Sequence, residues 1–242
     1  FIISGSEIAI NSSTGVLTFV SAPDYETKAS YSATVTVSDG NNSATQDITV
    51  AINDVNEKPI ITSGSTYTVD ENQTAIGAIT ATDESSDLIY ELTGTDSASV
   101  TINNLSGVMT FVAAPDYETK DTYSLIANVS DDSFTTRKAI QISINNLNDN
   151  TPSFTSSSSF SVDENQTSIG TVTATDADDD TLTFSVSGSE IDIDADTGEL
   201  TFASAPDYET KSSYSTTVTA SDGTNSTTQD ITVSINDLND ES

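Results

Sequence analysis

The chain contains no cysteine, no histidine and no tryptophan, and only 6 basic residues stand against 38 acidic ones. Without thiols there can be no disulfides and no thiolate nucleophile. Without imidazole the commonest general base and the usual zinc sites are also gone. The formal charge of −32 repels polyanions, so neither nucleic acid nor an anionic membrane surface is an expected partner. No apolar run is long enough to cross a bilayer, so membrane insertion is not expected. An acidic chain rich in Ser and Thr could be disordered. Here, however, the apolar residues alternate in strand-like runs. Packing many carboxylates into a compact fold costs repulsion unless cations neutralise some of them.

What is present is a repeat. The heptad Ala-Pro-Asp-Tyr-Glu-Thr-Lys occurs at 22–28, 114–120 and 205–211. Its prolines, Pro23, Pro115 and Pro206, are 92 and 91 residues apart. Val-Asp-Glu-Asn-Gln-Thr occurs at 69–74 and 162–167, 93 apart, and similar Ile-Asn-Asp/Asn segments begin at Ile52, Ile144 and Ile235. A period of this length suits a compact β domain. The expected division is a partial first repeat with its linker at 1–57, a second repeat at 58–149, and a third with its C-terminal linker at 150–242. Residues 1–52 align without gaps to 184–235, with 38 of 52 positions identical. The counterpart of about 153–183 is therefore missing from the first repeat. Either Phe1 is an arbitrary or proteolytic start, with the missing strands lying outside this sequence, or another molecule supplies a donor strand.

The local pattern is β throughout. Tyr31, Ala33, Val35 and Val37 alternate with Ser and Thr; so do Ile48, Val50 and Ile52, and Leu182, Phe184 and Val186. This period of two, rich in β-branched residues, is that of half-buried strands. Ser-Asp-Gly and Asp-Thr-Gly segments supply turns. About seven short strands per repeat imply an all-β antiparallel Greek-key sandwich of immunoglobulin-like type.

The acids gather at turns and repeat ends, not along strand faces. One Asp in a turn needs no further explanation. Several recurring in register at every boundary are the mixed carboxylate, amide and carbonyl set that suits Ca²⁺ better than Mg²⁺. A catalytic carboxylate pair would be unique, whereas these repeat in every unit. No triad, no phosphate loop and no base other than a carboxylate is present, so the chain is not expected to be an enzyme.

In sequence order, "DEN", "TDADDD", "DADTGELTF", "PDYE", "VTASDG" and a closing "NDLND" or "NNLNDNTP" resemble cadherin repeats over essentially the whole chain. The Ser, Thr and Asn content and the "DVNEKP" linker look like the cadherin-like repeats of bacterial surface adhesins. The resemblance implies a linear rod of tandem sandwiches with up to three Ca²⁺ at each junction.

At the junction of repeats 2 and 3 the resemblance implies Glu71, Asp116 and Glu118 from the upper repeat. Asn148, Asp149 and the Asn150 carbonyl come from the linker, and Asp176, Asp178 and Asp222 from the lower repeat. Asn146 replaces the family's usual Asp. At the junction of repeats 1 and 2 it implies Asp24, Glu26, Asp54, Asn56, Glu57, Asp83 and Asp131. There "TDESSDL" is one residue short and Ser85 replaces the second Asp. Glu84 or Asp87 stands in for it, or one ion is absent, so fewer or weaker ions are expected. After repeat 3, Glu164, Asp207, Glu209, Asp237 and Asp240 form half a site.

The implied function is calcium-stiffened extracellular spacing or adhesion, in a bacterial surface adhesin or matrix fibre. Partners are neighbouring repeats of the same chain, with homophilic or glycan contacts also open. The rival readings are a polysaccharide-binding module and a subunit of a self-assembling filament. Lys28, Lys120 and Lys211 are expected to pair with nearby acids. Tyr25, Tyr117 and Tyr208 are expected to pack beneath the metal-binding loop, and Tyr31, Tyr123 and Tyr214 to begin core strands.

Overall fold

The computed structural model describes residues 1–84 and 87–239. They form two compact units. The first comprises Phe1–Thr62, Ala81–Ile89 and Val129–Thr136; the second comprises Ser63–Thr80, Tyr90–Asn128 and Arg137–Ser242. Among the described residues there is no α-helix.

The third repeat shows the complete plan. One sheet has the order Ser159–Asp163, Ser226–Asn236, Ser213–Ser221, Thr183–Val186. The other has Ser168–Thr171, Glu199–Phe202, Ile191–Ile193. The inward residues of both, including Leu200, Phe202, Val218, Ile231 and Val233, form one core. The period-two pattern thus puts alternate side chains on one face of each sheet, and two such faces bury each other. The second repeat has the same two sheets. One runs Ile89–Thr93, Thr122–Ser130, Thr135–Asn145, Thr66–Asp70, and the other Val100–Ile102, Val108–Phe111, Ala75–Ala78.

The expected antiparallel sandwich needs one correction. Ser159–Asp163 runs parallel to Thr232–Asn236, and Thr66–Asp70 runs parallel to Gln141–Asn145. After a short first strand, Ile60–Ile61 or Ser153–Phe154, that pairs with Ala81–Thr82 or Ala174–Thr175, the second strand of each complete repeat therefore adds to the edge beside the last strand. This brings Glu71 and Glu164, each just after its strand, to the end of the repeat where the last strand passes into the next linker.

The first unit holds the incomplete repeat. Its main sheet is Ile2–Ile3, Ser30–Ser38, Ser43–Ala51, and Ile8–Ile10 pairs with Leu17–Phe19. Neither pairing has a counterpart of the Ser159–Asp163 or Ser168–Thr171 strand. The consequence is direct: Leu200 is 0% exposed, whereas its counterpart Leu17 is 40% exposed. Val50 is half-buried where Val233 is sealed.

The Asp-Thr-Gly turn has a steric reason. Gly198 lies at φ +71°, and a Cβ there would meet the Val172 carbonyl oxygen at 2.3 Å. Gly107 stands in the same relation to the Ile79 oxygen, at 2.2 Å. The equivalent Gly15 meets only the ring of Phe1, at 3.4 Å. Gly198→Ala should therefore cost about 1–3 kcal/mol or more, because it combines left-handed strain with a backbone clash. Gly15→Ala should cost less. Thermal unfolding of the two variants in the same buffer checks the order.

Candidate metal centres

The heptad builds its own turn. Asp207 accepts from the Glu209 amide at 3.1 Å and from the Thr210 hydroxyl at 2.9 Å. Asp24 does the same with Glu26 and Thr27, and Asp116 is bonded to Thr119. The hydroxyl bond, first among the causes, holds all three carboxyls below the ordinary Asp value. The turn aims the next amide inward. Tyr208 N donates to Glu164 at 2.9 Å, and Tyr117 N to Glu71 at 2.8 Å. Leu238 N and Leu147 N donate to the other oxygens of the same carboxylates, each at 2.8 Å. Two amides thus hold a carboxylate that is nearly sealed from water: Glu71 is 2% and Glu164 3% exposed.

Tyr25 and Tyr208 are exposed and do not pack beneath the loop, whereas Tyr117 is half-buried. Tyr31, Tyr123 and Tyr214, six residues further on, do pack, each ring about 5 Å from that of Phe19, Phe111 or Phe202. The heptad lysine lies over that tyrosine ring and reaches an acid. Lys211 bonds Glu190 at 2.6 Å, Lys28 bonds Glu7 at 2.6 Å, and Lys120 bonds Asp96. The expected ion pairs are present.

Three centres gather the acids. In the second unit, carboxylate oxygens of Glu71, Glu118, Asp149 and Asp178 lie within 4.8 Å of one another. Asp176, Asp178 and Asp180 make an adjoining set. In the first unit the set is Glu26, Asp54 and Glu84, and in the third repeat it is Glu164, Glu209 and Asp237.

Around the first centre, Asp178 is 7% exposed. It accepts from the amides of Asp149 and Asn150, at 3.0 and 2.8 Å, and from the Asn150 side chain at 2.8 Å. Asn225 donates to Asn148 Oδ1 and to the Asn150 carbonyl, at 3.2 and 2.9 Å. Asn146 donates to the Asp178 carbonyl at 3.0 Å. Asp222 accepts from Thr224 and Asn225 amides.

In the first unit, Asn56 donates to Asp131 at 3.2 Å and the Glu57 amide to Glu84 at 3.0 Å. Asp24, Glu26, Glu57, Asp83 and Glu84 line one cleft. Of the two stand-ins for the missing Asp, it is Glu84 that joins the cluster. Ser85 and Asp240 lie outside the described residues. Asp180 and Asn225 were not among the expected ligands, although every second residue of Asp176-Ala-Asp-Asp-Asp180 is acidic.

A cation fits these sets. Asp83 Oδ2, Asp176 Oδ2 and Asp222 Oδ2 are buried with no hydrogen-bond partner, a costly state for carboxylate oxygen unless a cation meets it. The donors are all hard oxygens.

Residues 158–236 match the family model described as the cadherin domain. No curated protein matches the chain significantly. Among solved structures, mouse cadherin-23 EC22-24 is 25% identical with a TM-score of 0.71, covering 98% of this chain and 86% of that one. Protocadherin gamma B2 extracellular cadherin domains 3-6 is 22% identical with a TM-score of 0.75, covering 98% and 67%. Human protocadherin-24 EC1-2 is 19% identical with a TM-score of 0.65, covering 76% and 100%. The chain is built of cadherin-like β-sandwich repeats. Cadherin domains are extracellular, non-enzymatic adhesion modules that bind Ca²⁺ at the junctions between repeats.

The carboxylates repel one another. Desolvation, then Asp178 and Glu71, hold Glu118 above the ordinary Glu value. Desolvation, then Asp176, Asp178 and Asp222, do the same to Asp180. Such groups bind protons more tightly folded than unfolded, so their repulsion is relieved as pH falls towards their raised values. At Asp178 burial is outweighed by the Asn150 bonds, and its carboxyl is held down. Its stabilisation, like that of Asp116, is present above the unfolded Asp value and lost as pH falls through the lowered one. In chelator, the melting temperature should therefore rise on acidification from pH 7 to about 5 and fall below about pH 4. Excess Ca²⁺ should abolish the rise, because the ion then neutralises the same groups.

Proposed function

We propose that these repeats are a calcium-stiffened extracellular spacer with an adhesion role, drawn from a bacterial surface adhesin or matrix fibre. Four carboxylates from separate segments, Glu71, Glu118, Asp149 and Asp178, converge within 4.8 Å, and that observation carries the reading. Glu71 and Glu118 belong to repeat 2, Asp149 to the linker and Asp178 to repeat 3. An ion held by all four ties the two sandwiches and their linker together.

In this reading Asp116, Asn148, the Asn150 carbonyl, Asp176, Asp180 and Asp222 complete up to three ions. Asp24, Glu26, Asp54, Asn56, Glu57, Asp83, Glu84 and Asp131 hold fewer. Glu164, Asp207, Glu209 and Asp237 make a half-site for a following repeat. Repeat boundaries fall near 57 and 149. Calcium modules of the extracellular kind bind at roughly 10⁻⁴–10⁻³ M, which an extracellular medium supplies and cytosol does not. The bacterial assignment is supported by the Ser, Thr and Asn richness and the linker sequence.

Calorimetric titration with Ca²⁺, paired with small-angle scattering, tests this. Binding should be saturable and accompanied by a change from a flexible to a stiff, extended particle. Asp178→Asn should weaken the tightest step at least tenfold and retain flexibility at calcium levels that stiffen the parent. No heat of binding together with an unchanged scattering curve would reject the reading.

A further inference from the structure

Asn225 holds two oxygens that the junction of repeats 2 and 3 needs. It sits, half-buried, at the tip of the hairpin between Ser213–Ser221 and Ser226–Asn236. The tip closes without its side chain. Asp222 N donates to the Asn225 carbonyl at 3.2 Å, and Asn225 N donates to Asp222 Oδ1 at 2.6 Å. The carboxamide is spent on the linker instead: its Nδ2 donates to Asn148 Oδ1 at 3.2 Å and to the Asn150 carbonyl at 2.9 Å.

These bonds differ in kind from the others that fasten the linker. Asp178 holds the linker by its donors, the amides of Asp149 and Asn150. Asn225 holds it by acceptors, and an acceptor is what a cation binds. A carbonyl oxygen has two lone pairs, so each of these oxygens can accept from Asn225 and still face an ion. One NH2 group fixes both oxygens beside the hairpin that carries Asp222. Asp222 Oδ2, like Asp176 Oδ2, is buried with no hydrogen-bond partner.

The junction of repeats 1 and 2 supplies the contrast. Phe134 is the counterpart of Asn225, since Asp131 N donates to its carbonyl at 3.1 Å as Asp222 N does to that of Asn225. A phenyl ring has no N–H to give. It is exposed, with Lys58 Nζ 5.8 Å from its centroid. Asn56, the counterpart of Asn148, bonds Asp131 but meets no carboxamide from this position.

We propose that Asn225 is a positioning residue for calcium. It presets Asn148 Oδ1 and the Asn150 carbonyl against Asp176 and Asp222, so that an ion drawing on linker and lower repeat together meets an ordered set of oxygens. Less ordering is then left for the ion to impose, which tightens its binding. Phe134 withholds the same help from Asn56. The proposal rests on the calcium reading of this junction.

The test compares the full chain with its Asn225→Ala form and with Thr224→Ala, a control at the same hairpin tip. Hydrogen exchange in chelator reads the latch with no ion present. Asn225→Ala should speed exchange at the Asp149 and Asn150 amides and leave Ser226–Asn236 unchanged. Calorimetric titration reads the consequence. Asn225→Ala should weaken one calcium step about tenfold, as expected for two lost hydrogen bonds, and Thr224→Ala should weaken none. Calcium steps in Asn225→Ala equal to the parent's would overturn the role of Asn225 and leave the calcium reading standing, even if linker exchange is faster. A tighter step in Asn225→Ala would also overturn it, by showing that the amide competes with the ion. A parent chain that takes up no calcium would sink both.

Discussion

The crowding of carboxylates at the ends of the sandwiches is the constraint on which the rest depends. Glu71 is buried against two amides, and its carboxylate and those of Glu118, Asp149 and Asp178 lie within 4.8 Å of one another. Without a cation this is repulsion held in place by the fold, partly offset by Asn150. With one, the same oxygens become a clamp. The fold contributes the placement: a parallel edge strand brings its glutamate to the linker end of the repeat, and the heptad turn brings a second acid to meet it.

This explains why one charged and aromatic heptad recurs among so many Ser and Thr residues. Its proline is buried in the two complete repeats and half-buried in the first. Its Asp closes the turn, the amide of its Tyr holds the buried glutamate, and its Glu joins the carboxylate cluster. Its Lys lies over the core tyrosine and reaches an acid 21 or 24 residues earlier. An exposed ion pair of this kind contributes little alone. Its value here is local, since it fixes the end of the turn that carries the metal-facing Glu.

Much of the architecture was legible in the sequence. Alternation at Tyr31–Val37 and Ile48–Val50 marks real strands, and seven strands make the two main sheets of each complete sandwich. Alternation carries no direction, however, so the parallel course of Ser159–Asp163 could not be read from it. The exposure of Tyr25 and Tyr208, against the half-buried Tyr117, is likewise not visible in residue type, because three identical heptads place the ring differently. Glu84 was legible only as one of two stand-ins, since a shortened loop leaves its register open. Asp180 was missed although its alternation with Asp176 and Asp178 was visible, and Asn225 because an amide beside Ser-Asp-Gly reads as an ordinary turn residue. The bared Leu17 follows from the missing segment, since its identical counterpart Leu200 is sealed by that segment.

The most direct measurement is anomalous diffraction from crystals of this protein grown in calcium-containing buffer. The account predicts calcium peaks bounded by Glu71, Glu118, Asp149 and Asp178, with further density towards Asp176 and Asp222. Those acids ordered around an ion-free gap, or turned apart into solvent, would contradict it.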